Sequence, residues 1–451
     1  MDNNFQFPDL SFPQVRPIIP PDLSDIEIHP RRVSVVEDEK NFNQLIILGN
    51  GFDLACGLKS TYKDFFNHIL QKEESESNYW YYIFKSLSIK NKINNGWTDI
   101  ERQILTELKN IESLYDSGIL KEGEYNDLDD IVQNDDFTSK SREQKRDDSL
   151  YLTIRAAFYA IKSHYDLIPS KKEFQSHLIS KMLILENHFF NYLNEQIRIE
   201  DSNINNFFLG IKDTNQNNYY IKSVIIVYFL LISQTPKISL GTLLSKLEKI
   251  EKHDSFDSFF VEVEAIKKLF FEDDIEIIES NILSFNYTEP FKNLNIRNIH
   301  GALSDGNIIF GIDYDKLKIN FNEPPIEFSK SYRILENGRN TSIKISSDID
   351  IIKFYGHGLG EADYSYFQAI FDSVNLYHSN TKIIFYWSEY EGVEKTKIRV
   401  EQVKKVTNLI EEYGTTFTNE DHGRNLLTKL QLENRLQIEE IPLNQLFQYL
   451  K

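Results

Sequence analysis

The feature of this sequence that most constrains its fold is a short apolar segment that ends in glycine. Residues 45–48 form a continuous apolar run, and the sequence G-N-G (49–51) follows it directly. Apolar runs of this length, bounded by glycine, are typical of strands that are buried on both faces of a parallel sheet. Similar runs come later in the chain, at 282–285, 296–299, 308–310, 351–355 and 382–387. The pattern therefore predicts an α/β fold built around a parallel sheet.

Helical periodicity separates the first predicted strand from the others. Apolar residues recur at three- and four-residue steps over 174–200, a spacing that places them on one face of a helix. We interpret this region as an insertion into the sheet-forming core. The predicted parts of the chain are an extended proline-rich arm (1–43), the first part of a nucleotide-binding α/β core (44–100), a helical insertion (101–275), the second part of the core (276–392) and a C-terminal helical appendix (393–451).

The two ends of the chain carry signals of their own. Half of the 12 prolines lie in the first 30 residues, and this density blocks helix formation and favours an extended arm. Apolar residues scattered through the arm favour packing across its own domain or against a neighbouring subunit. A homo-oligomer held through the arm or the helical insertion is therefore one expectation. At the other end, residues 393–413 have the pattern of an amphipathic helix, which Gly414 is expected to end.

Charge and cysteine content limit the kinds of partner that the protein is expected to bind and the cellular compartment in which it is expected to lie. With 50 basic and 69 acidic side chains the formal net charge is −19, which repels a polyanion and disfavours nucleic acid as a partner. The single cysteine, Cys56, excludes an intrachain disulfide and a multi-thiolate zinc site, and no metal site is predicted. The N-terminus lacks the pattern of a secretory signal, and the most apolar window, 224–232, is too short to span a bilayer. We therefore expect a cytoplasmic protein that binds no membrane.

The loop after the first predicted strand is a candidate phosphate-binding element. A G-x-G sequence between a strand and a helix allows a tight turn, in which main-chain N–H groups face a pyrophosphate. The spacing is not the full dinucleotide-binding fingerprint, and an ordinary strand-to-helix turn explains it equally well. The carboxylate in this loop can cap the following helix or contact a ribose hydroxyl. The candidate nucleotide-binding residues here are Gly49, Asn50, Gly51, Phe52 and Asp53.

Two polar side chains follow later predicted strands. Asn286 comes after the run that begins at 282, and His300 comes after the run that begins at 296. Ligands of open parallel sheets collect beyond the carboxyl ends of the strands, which favours a functional role for both. A neutral imidazole can also accept a proton from a ribose hydroxyl or from water. The alternatives are an asparagine that closes a turn and a hydrogen-bonded structural histidine.

A glycine-rich turn follows the predicted strand at 351–355. Its two carboxylates suit the first turn of a helix, and they can also hold the ribose hydroxyls of an adenosine. His357 is a second candidate base, after His300. The further candidate nucleotide-binding residues are Gly301, Gly356, His357, Gly358, Glu361 and Asp363.

The motifs taken together resemble the AbiH family of bacteriophage abortive-infection proteins. Each motif is short, but six of them occur in the order of the family: G-N-G-F-D-L-A (49–55), G-L-x-x-x-Y-x-D-F (57–65), W-x-D-I-E (97–101), S-F-N-Y-T (284–288), I-H-G (299–301) and G-H-x-L-G-E-x-D (356–363). The resemblance implies a role in phage defence and a response to a trigger derived from the phage.

The same order of motifs also resembles the sirtuin-like NAD-consuming proteins of antiphage defence. This resemblance implies a sirtuin-like Rossmann-type sheet, NAD as the substrate, and Asn286 and His300 as catalytic residues. Three positions depart from that pattern: Thr288 stands where aspartate is common, Lys59 replaces a proline and Gly358 replaces a serine. Sirtuin deacylases themselves carry a four-cysteine zinc module, which a chain with one cysteine cannot build.

Two functions remain open from the sequence. In the first, the protein is an abortive-infection effector, an NAD glycohydrolase that cleaves NAD or a related nucleotide at the nicotinamide–ribose bond. In the second, it is a non-catalytic sensor of NAD or ADP-ribose that signals to a partner. Both require a small-molecule nucleotide at the ends of the predicted strands.

Overall fold

The computed structural model describes residues 42–69, 78–89, 100–124, 149–208, 219–234, 278–289, 296–336, 345–390 and 392–447. All of these residues belong to one compact unit, Asn41–Lys451. The predicted proline-rich arm lies outside the described residues except for its last two, Phe42 and Asn43, which begin the first strand. In the described part of the chain, no helix is both long and apolar enough to cross a membrane.

The described strands form one six-stranded, all-parallel sheet, which confirms the predicted α/β class. The strands are β1 (Phe42–Leu48), β2 (Ile278–Ser284), β3 (Ile296–Asn298), β4 (Ile351–Tyr355), β5 (Lys382–Trp387) and β6 (Leu436–Glu440). Their order across the sheet is β3-β2-β1-β4-β5-β6. This is the strand order of dinucleotide-binding α/β folds, in which the order reverses between β1 and β4 and leaves a crevice beyond the ends of these two strands.

Helices precede, connect and cover the strands. The described α-helices are α1 (Asn50–Ala55), α2 (Tyr62–Ile69), α3 (Tyr79–Ile89), α4 (Ile100–Asp116), α5 (Ser149–His164), α6 (Lys171–Phe208), α7 (Tyr219–Ile232), α8 (Tyr314–Asn320), α9 (Lys330–Glu336), α10 (Tyr364–Ser373), α11 (Lys395–Thr415), α12 (Glu420–Leu432) and α13 (Leu443–Leu446).

Both faces of the sheet are buried, which explains the continuous apolar runs. Successive side chains of a strand point to opposite faces. Leu45 and Ile47 of β1 accordingly pack with residues of α10, α11 and α12. Ile46 and Leu48 pack on the other face with residues of α1 and α7. The burial of each such side chain contributes about 1.5–3 kcal/mol to the folded state.

Helix α7, part of the predicted insertion, covers one face of the sheet. Its residues 225–232 are buried in the same cluster as Leu48. The ammonium group of buried Lys353, in β4, donates to the main-chain oxygens of Leu230 and Ser233 at 2.5 Å each. Burial lowers the pKa of Lys353 to about 7, and its N–H groups satisfy carbonyl groups that have no partner inside the helix. The contacts of α7 therefore tie it directly to the sheet.

A separate helical cluster forms from α2 to α6. The predicted helix over 174–200 is confirmed, since α6 spans it and buries Leu178, Met182 and Leu185 at the predicted spacing. This cluster also contains Ile308 and Phe310. The helical cluster thus meets the segment that follows β3.

The prediction of a strand at 308–310 is wrong. These residues are buried without forming a strand, because their main-chain groups bond elsewhere. The N–H group of Ile309 donates to the carbonyl oxygen of His300 at 2.9 Å. The N–H group of Phe310 donates to Glu186 at 2.6 Å, and its carbonyl oxygen accepts from Arg333 at 2.8 Å. For Phe310, side chains thus supply the partners that a neighbouring strand would otherwise provide.

The end predicted for the helix at 393–413 is also wrong. Gly414 lies inside α11, which continues to Thr415. A Cβ atom at Gly414 would lie 2.6 Å from the carbonyl oxygen of Gly423 in α12. The glycine is therefore explained by the close approach of two helices. The C-terminal segment also adds β6 to the edge of the sheet, where Ile383 pairs with Leu436.

Candidate functional site

The loops that follow β1, β2, β3 and β4 meet at one edge of the sheet, because parallel strands place their carboxyl ends on the same side. In the register, Leu48 lies opposite Ser284 on one side and Tyr355 on the other. Main-chain bonds continue beyond the strands: Phe285 donates to Leu48 at 2.8 Å, and Ile299 donates to Ser284 at 2.8 Å. The predicted site segments are therefore neighbours in space.

The glycines of the loop after β1 and of the turn after β4 pack against each other. A Cβ atom at Gly49 would lie 2.4 Å from the Cα atom of His357, and one at Gly356 would lie 2.3 Å from the main-chain nitrogen of Phe52. Gly356 also has a φ of +72°, which favours glycine. The N–H group of Gly51 donates to the carbonyl oxygen of Gly356 at 2.7 Å. This N–H group, predicted to face a phosphate, thus holds the two loops together.

Asp53 in α1 is buried and anchors the loop after β2. Both of its carboxylate oxygens accept from the hydroxyl of Thr288, at 2.9 and 2.8 Å, and one accepts from Tyr219 at 3.1 Å. Burial raises the pKa of Asp53 to about 7, although these two hydroxyl groups act to lower it. An aspartate at position 288 would place a second carboxylate against Asp53. The threonine found there instead donates a hydrogen bond.

Asn286 is held at the end of β2 with its side-chain oxygen unsatisfied. Its main-chain oxygen accepts from the side chain of Asn298 at 2.7 Å, and that side chain also donates to the main-chain oxygen of Thr288 at 2.9 Å. Asn286 is 4% exposed, yet its Oδ1 atom has no hydrogen-bond partner within the described residues. Buried polar atoms are normally paired, and this oxygen can accept a hydrogen bond from a bound molecule.

His300 is similarly buried at the end of β3. It is 5% exposed, and its Nε2 atom also has no hydrogen-bond partner among the residues described. The turn is fixed by Gly301, whose φ is +109° and where a Cβ atom would lie 2.2 Å from the main-chain oxygen of Asn307. Burial, together with the nearby charge of Lys330, lowers the pKa of His300 to about 3. The imidazole is therefore neutral across the physiological pH range.

Asp363 joins the site residues that come from different segments. Its Oδ1 atom lies 3.5 Å from Nε2 of His300 and 2.8 Å from Nζ of Lys330. Its Oδ2 atom lies 3.3 Å from Nε2 of His357. Burial alone would raise the pKa of Asp363, but Lys330 and the two histidines outweigh it and hold the pKa well below its usual range. Asp363 is therefore an anion shared by one lysine and two histidines.

The tautomer of His357 follows from its two contacts. Its Nδ1 atom accepts a hydrogen bond from the N–H group of Leu359 at 2.9 Å. In a neutral imidazole the proton must then be on Nε2, which faces Asp363. Phe285 packs edge-on against both imidazoles, with ring centroids 4.5 Å from His357 and 5.4 Å from His300. The ring of His357 is thus held by its contacts with Leu359 and Asp363, and the ring of Phe285 packs against both imidazoles.

Two charged residues of the site escaped the sequence reasoning. Lys330, at the start of α9, is 1% exposed and pairs with Glu101 of α4 at 2.6 Å as well as with Asp363. Burial acts to lower the pKa of Lys330, but the two carboxylates raise it well above its usual range. The sequence pointed to Glu101 in one respect, because this residue ends the W-x-D-I-E motif, whereas Lys330 lies in no motif.

Not every predicted residue joins this cluster. The side chain of Glu361 is 73% exposed and pairs with Lys316 at 2.7 Å on the surface. Phe52 is fully buried in the core beneath the glycine loop. Within the part of the chain that the structure describes, no group of three or more histidine, cysteine or acidic side chains is arranged to bind a metal ion.

Fold and site together define an α/β protein with the strand order of dinucleotide-binding folds and a buried Asn-His-Asp-Lys cluster at the carboxyl ends of its strands. A comparison with protein-family models matches residues 45–227 and 185–387 to the family described as "Bacteriophage abortive infection AbiH". The matched segments together cover more than half of the chain, which therefore belongs to the AbiH family, as its motifs indicate. Membership implies a role in phage abortive infection. No curated protein and no solved structure shows a significant match.

Proposed function

We propose that this AbiH protein hydrolyses NAD, or a closely related nucleotide, at the nicotinamide–ribose bond. The observation that carries the proposal is the pair of unsatisfied buried atoms, Asn286 Oδ1 and His300 Nε2, at the ends of adjacent strands. In a fold of this strand order, nucleotides bind beyond these strand ends, next to the reversal between β1 and β4.

The chemistry of the cluster suits cleavage of an N-glycosidic bond. The bond between the ribose carbon and the nicotinamide nitrogen breaks with both electrons moving to the ring, which leaves as neutral nicotinamide. The ribose passes through an oxocarbenium-like state, which water attacks. His300 accepts the proton of that water, and Oδ1 of Asn286 accepts a hydrogen bond from the water or from a ribose hydroxyl. The anionic Asp363 stabilises the positive charge that develops on the sugar and on His300.

The low pKa of His300 has a consequence for this role. A base with a pKa of about 3 is fully available at neutral pH, but it is a weak acceptor in the free protein. The phosphates of a bound nucleotide would stabilise the protonated imidazole and raise its pKa. Base strength would then develop only once substrate is in place.

The experiment is an assay of nicotinamide release from NAD by the purified protein, alone and with lysate of phage-infected cells as a source of trigger. We expect His300→Ala to reduce release by about 10²–10⁴-fold, the usual contribution of a positioned base, and Asn286→Ala to reduce it as well. His378→Ala, which changes an exposed histidine outside the cluster, serves as the matched control and should release nicotinamide like the unchanged protein. Equal release by all of these variants would exclude the proposed roles.

A non-catalytic nucleotide sensor is the second candidate. The observation that favours it is that the Gly51 N–H group and both Asp363 oxygens already contact partners within the protein. Such internal contacts suit a rigid binding site. Titration calorimetry that detects binding of NAD or ADP-ribose, with no nicotinamide released with or without the infected lysate, would support the sensor over the enzyme.

A further inference from the structure

Lys330 and Glu101 form a charged connection between the helical cluster and the loops of the sheet. Lys330 lies at the start of α9, Glu101 lies in the first turn of α4, and Asp363 follows β4. The two carboxylates contact the same ammonium group, at 2.6 and 2.8 Å, and Lys330 is almost completely buried. A buried lysine must be paired with anions, so its position depends on both carboxylates.

The position of Asp363 depends on Lys330 in turn. Its contacts with His300 and His357 are longer, at 3.5 and 3.3 Å, than its contact with Lys330 at 2.8 Å. A charged hydrogen bond of that length is the strongest of the three contacts of this carboxylate. The distance from β3 to β4, three strand spacings or about 14 Å, also shows that His300 reaches Asp363 only because the loop after β4 crosses the edge of the sheet.

We propose that Lys330, held by Glu101 of α4, is a positioning residue that fixes the Asp363 carboxylate between His300 and His357. Its catalytic consequence rests on the proposed function, because the base that it orients is His300. Lys330 itself contacts no reacting atom and acts through Asp363. The site is complete only when the start of α4 is docked, so the helical cluster contributes directly to the arrangement of the base.

The role of Lys330 can be tested through the pKa of His300, a property distinct from the stability of the fold. The charged and titratable groups around it are Lys330 from α9, Asp363 and His357 from the loop after β4, Tyr366 from α10 and, behind Lys330, Glu101 from α4. Lys330 is the only fixed cation among them. Removal of its charge should therefore raise the pKa of His300, whereas removal of the Glu101 charge should not.

The test measures the titration of the histidine rings by NMR of histidine-labelled protein, with signals assigned through His300→Gln and His357→Gln. Lys330→Met is expected to raise the pKa of His300, to disturb the signal of His357 and to lower kcat for NAD by about 10²-fold with KM little changed. Glu101→Gln should lower kcat less and should leave the pKa of His300 unraised. Lys316→Met, which breaks the exposed pair with Glu361, is the matched control and should change neither.

Further variants keep the proposal testable if Lys330→Met does not fold. The double variant Lys330→Met with Glu101→Gln removes one cation and one anion from the cluster, and it is expected to show the same rise in the pKa of His300. A folded variant without Lys330 in which the signals of both histidines are unchanged would overturn the positioning role. If the unchanged protein releases no nicotinamide, the proposed function fails, while the NMR titration still decides whether Lys330 positions the cluster.

Discussion

Asp53 allows a quantitative prediction, because its burial changes how the stability of the protein depends on pH. Its carboxyl is 1% exposed and has a pKa of about 7, against 3.8 for an ordinary aspartate. Between these two values the folded state binds a proton that the unfolded state releases. The free energy of unfolding contributed by this group therefore falls as pH rises from about 4 to about 7.

The magnitude follows from the two pKa values. Linkage gives a loss of about 2 kcal/mol at pH 5 and about 4 kcal/mol at pH 8, relative to the protonated carboxyl. Asp53→Asn removes the charge and keeps an oxygen that can accept from Thr288 and Tyr219. Relative to the unchanged protein, this variant should thus gain about 2–3 kcal/mol of stability between pH 5 and pH 8.

Urea denaturation at pH 5 and pH 8 measures this difference directly. Asp421→Asn provides the control, since the side chain of Asp421 is 88% exposed and its removal should shift stability almost equally at both pH values. If the gain from Asp53→Asn were the same at pH 5 and pH 8, Asp53 would not be the buried acid that its contacts indicate.

Two further predictions follow from the geometry of the site. Gly356→Ala should destabilise the protein by at least about 1–3 kcal/mol, because Gly356 has a left-handed backbone and a Cβ atom there would clash with the loop after β1. At Gly358 a Cβ atom would meet nothing within 4 Å, so the stability of Gly358→Ala, measured by thermal unfolding, should lie within about 0.5 kcal/mol of that of the unchanged protein. The value of kcat/KM for nicotinamide release should stay constant as pH falls from 7 to 5, because His300 is already neutral there; a loss with an apparent pKa near 6.5 would contradict its assignment as the base.

The sequence predicted the sheet and the edge at which the candidate site residues meet, because both depend on local patterns. A strand that is buried on two faces is largely apolar, so five of the six strands of the sheet, all but β6, were recognisable from short windows. Once the strands are parallel, their carboxyl ends share one edge, and the residues that follow them must gather there. The parallel arrangement thus places Asn286, His300, His357 and Asp363 at one edge of the sheet.

Local patterns predict the wrong structure where a segment finds its partners far away in the chain. Residues 308–310 are as apolar as a strand, but Glu186 and Arg333 satisfy the main-chain groups of Phe310. Glycine is common just after the end of a helix, but Gly414 lies inside α11 and allows the close contact with Gly423. In each case a long-range contact overrides a local preference, and periodicity carries no information about such contacts.

The sequence by itself thus determined the fold class, the family and the edge of the sheet at which the polar residues of the motifs meet. The tertiary structure decided how those residues are charged and oriented. Lys330 belongs to no motif and lies far along the chain from Glu101, yet both carboxylates of the site bind it. The pKa values of His300, Asp363 and Asp53 depend on burial and on such neighbours, which are set only when the loops and helices pack together.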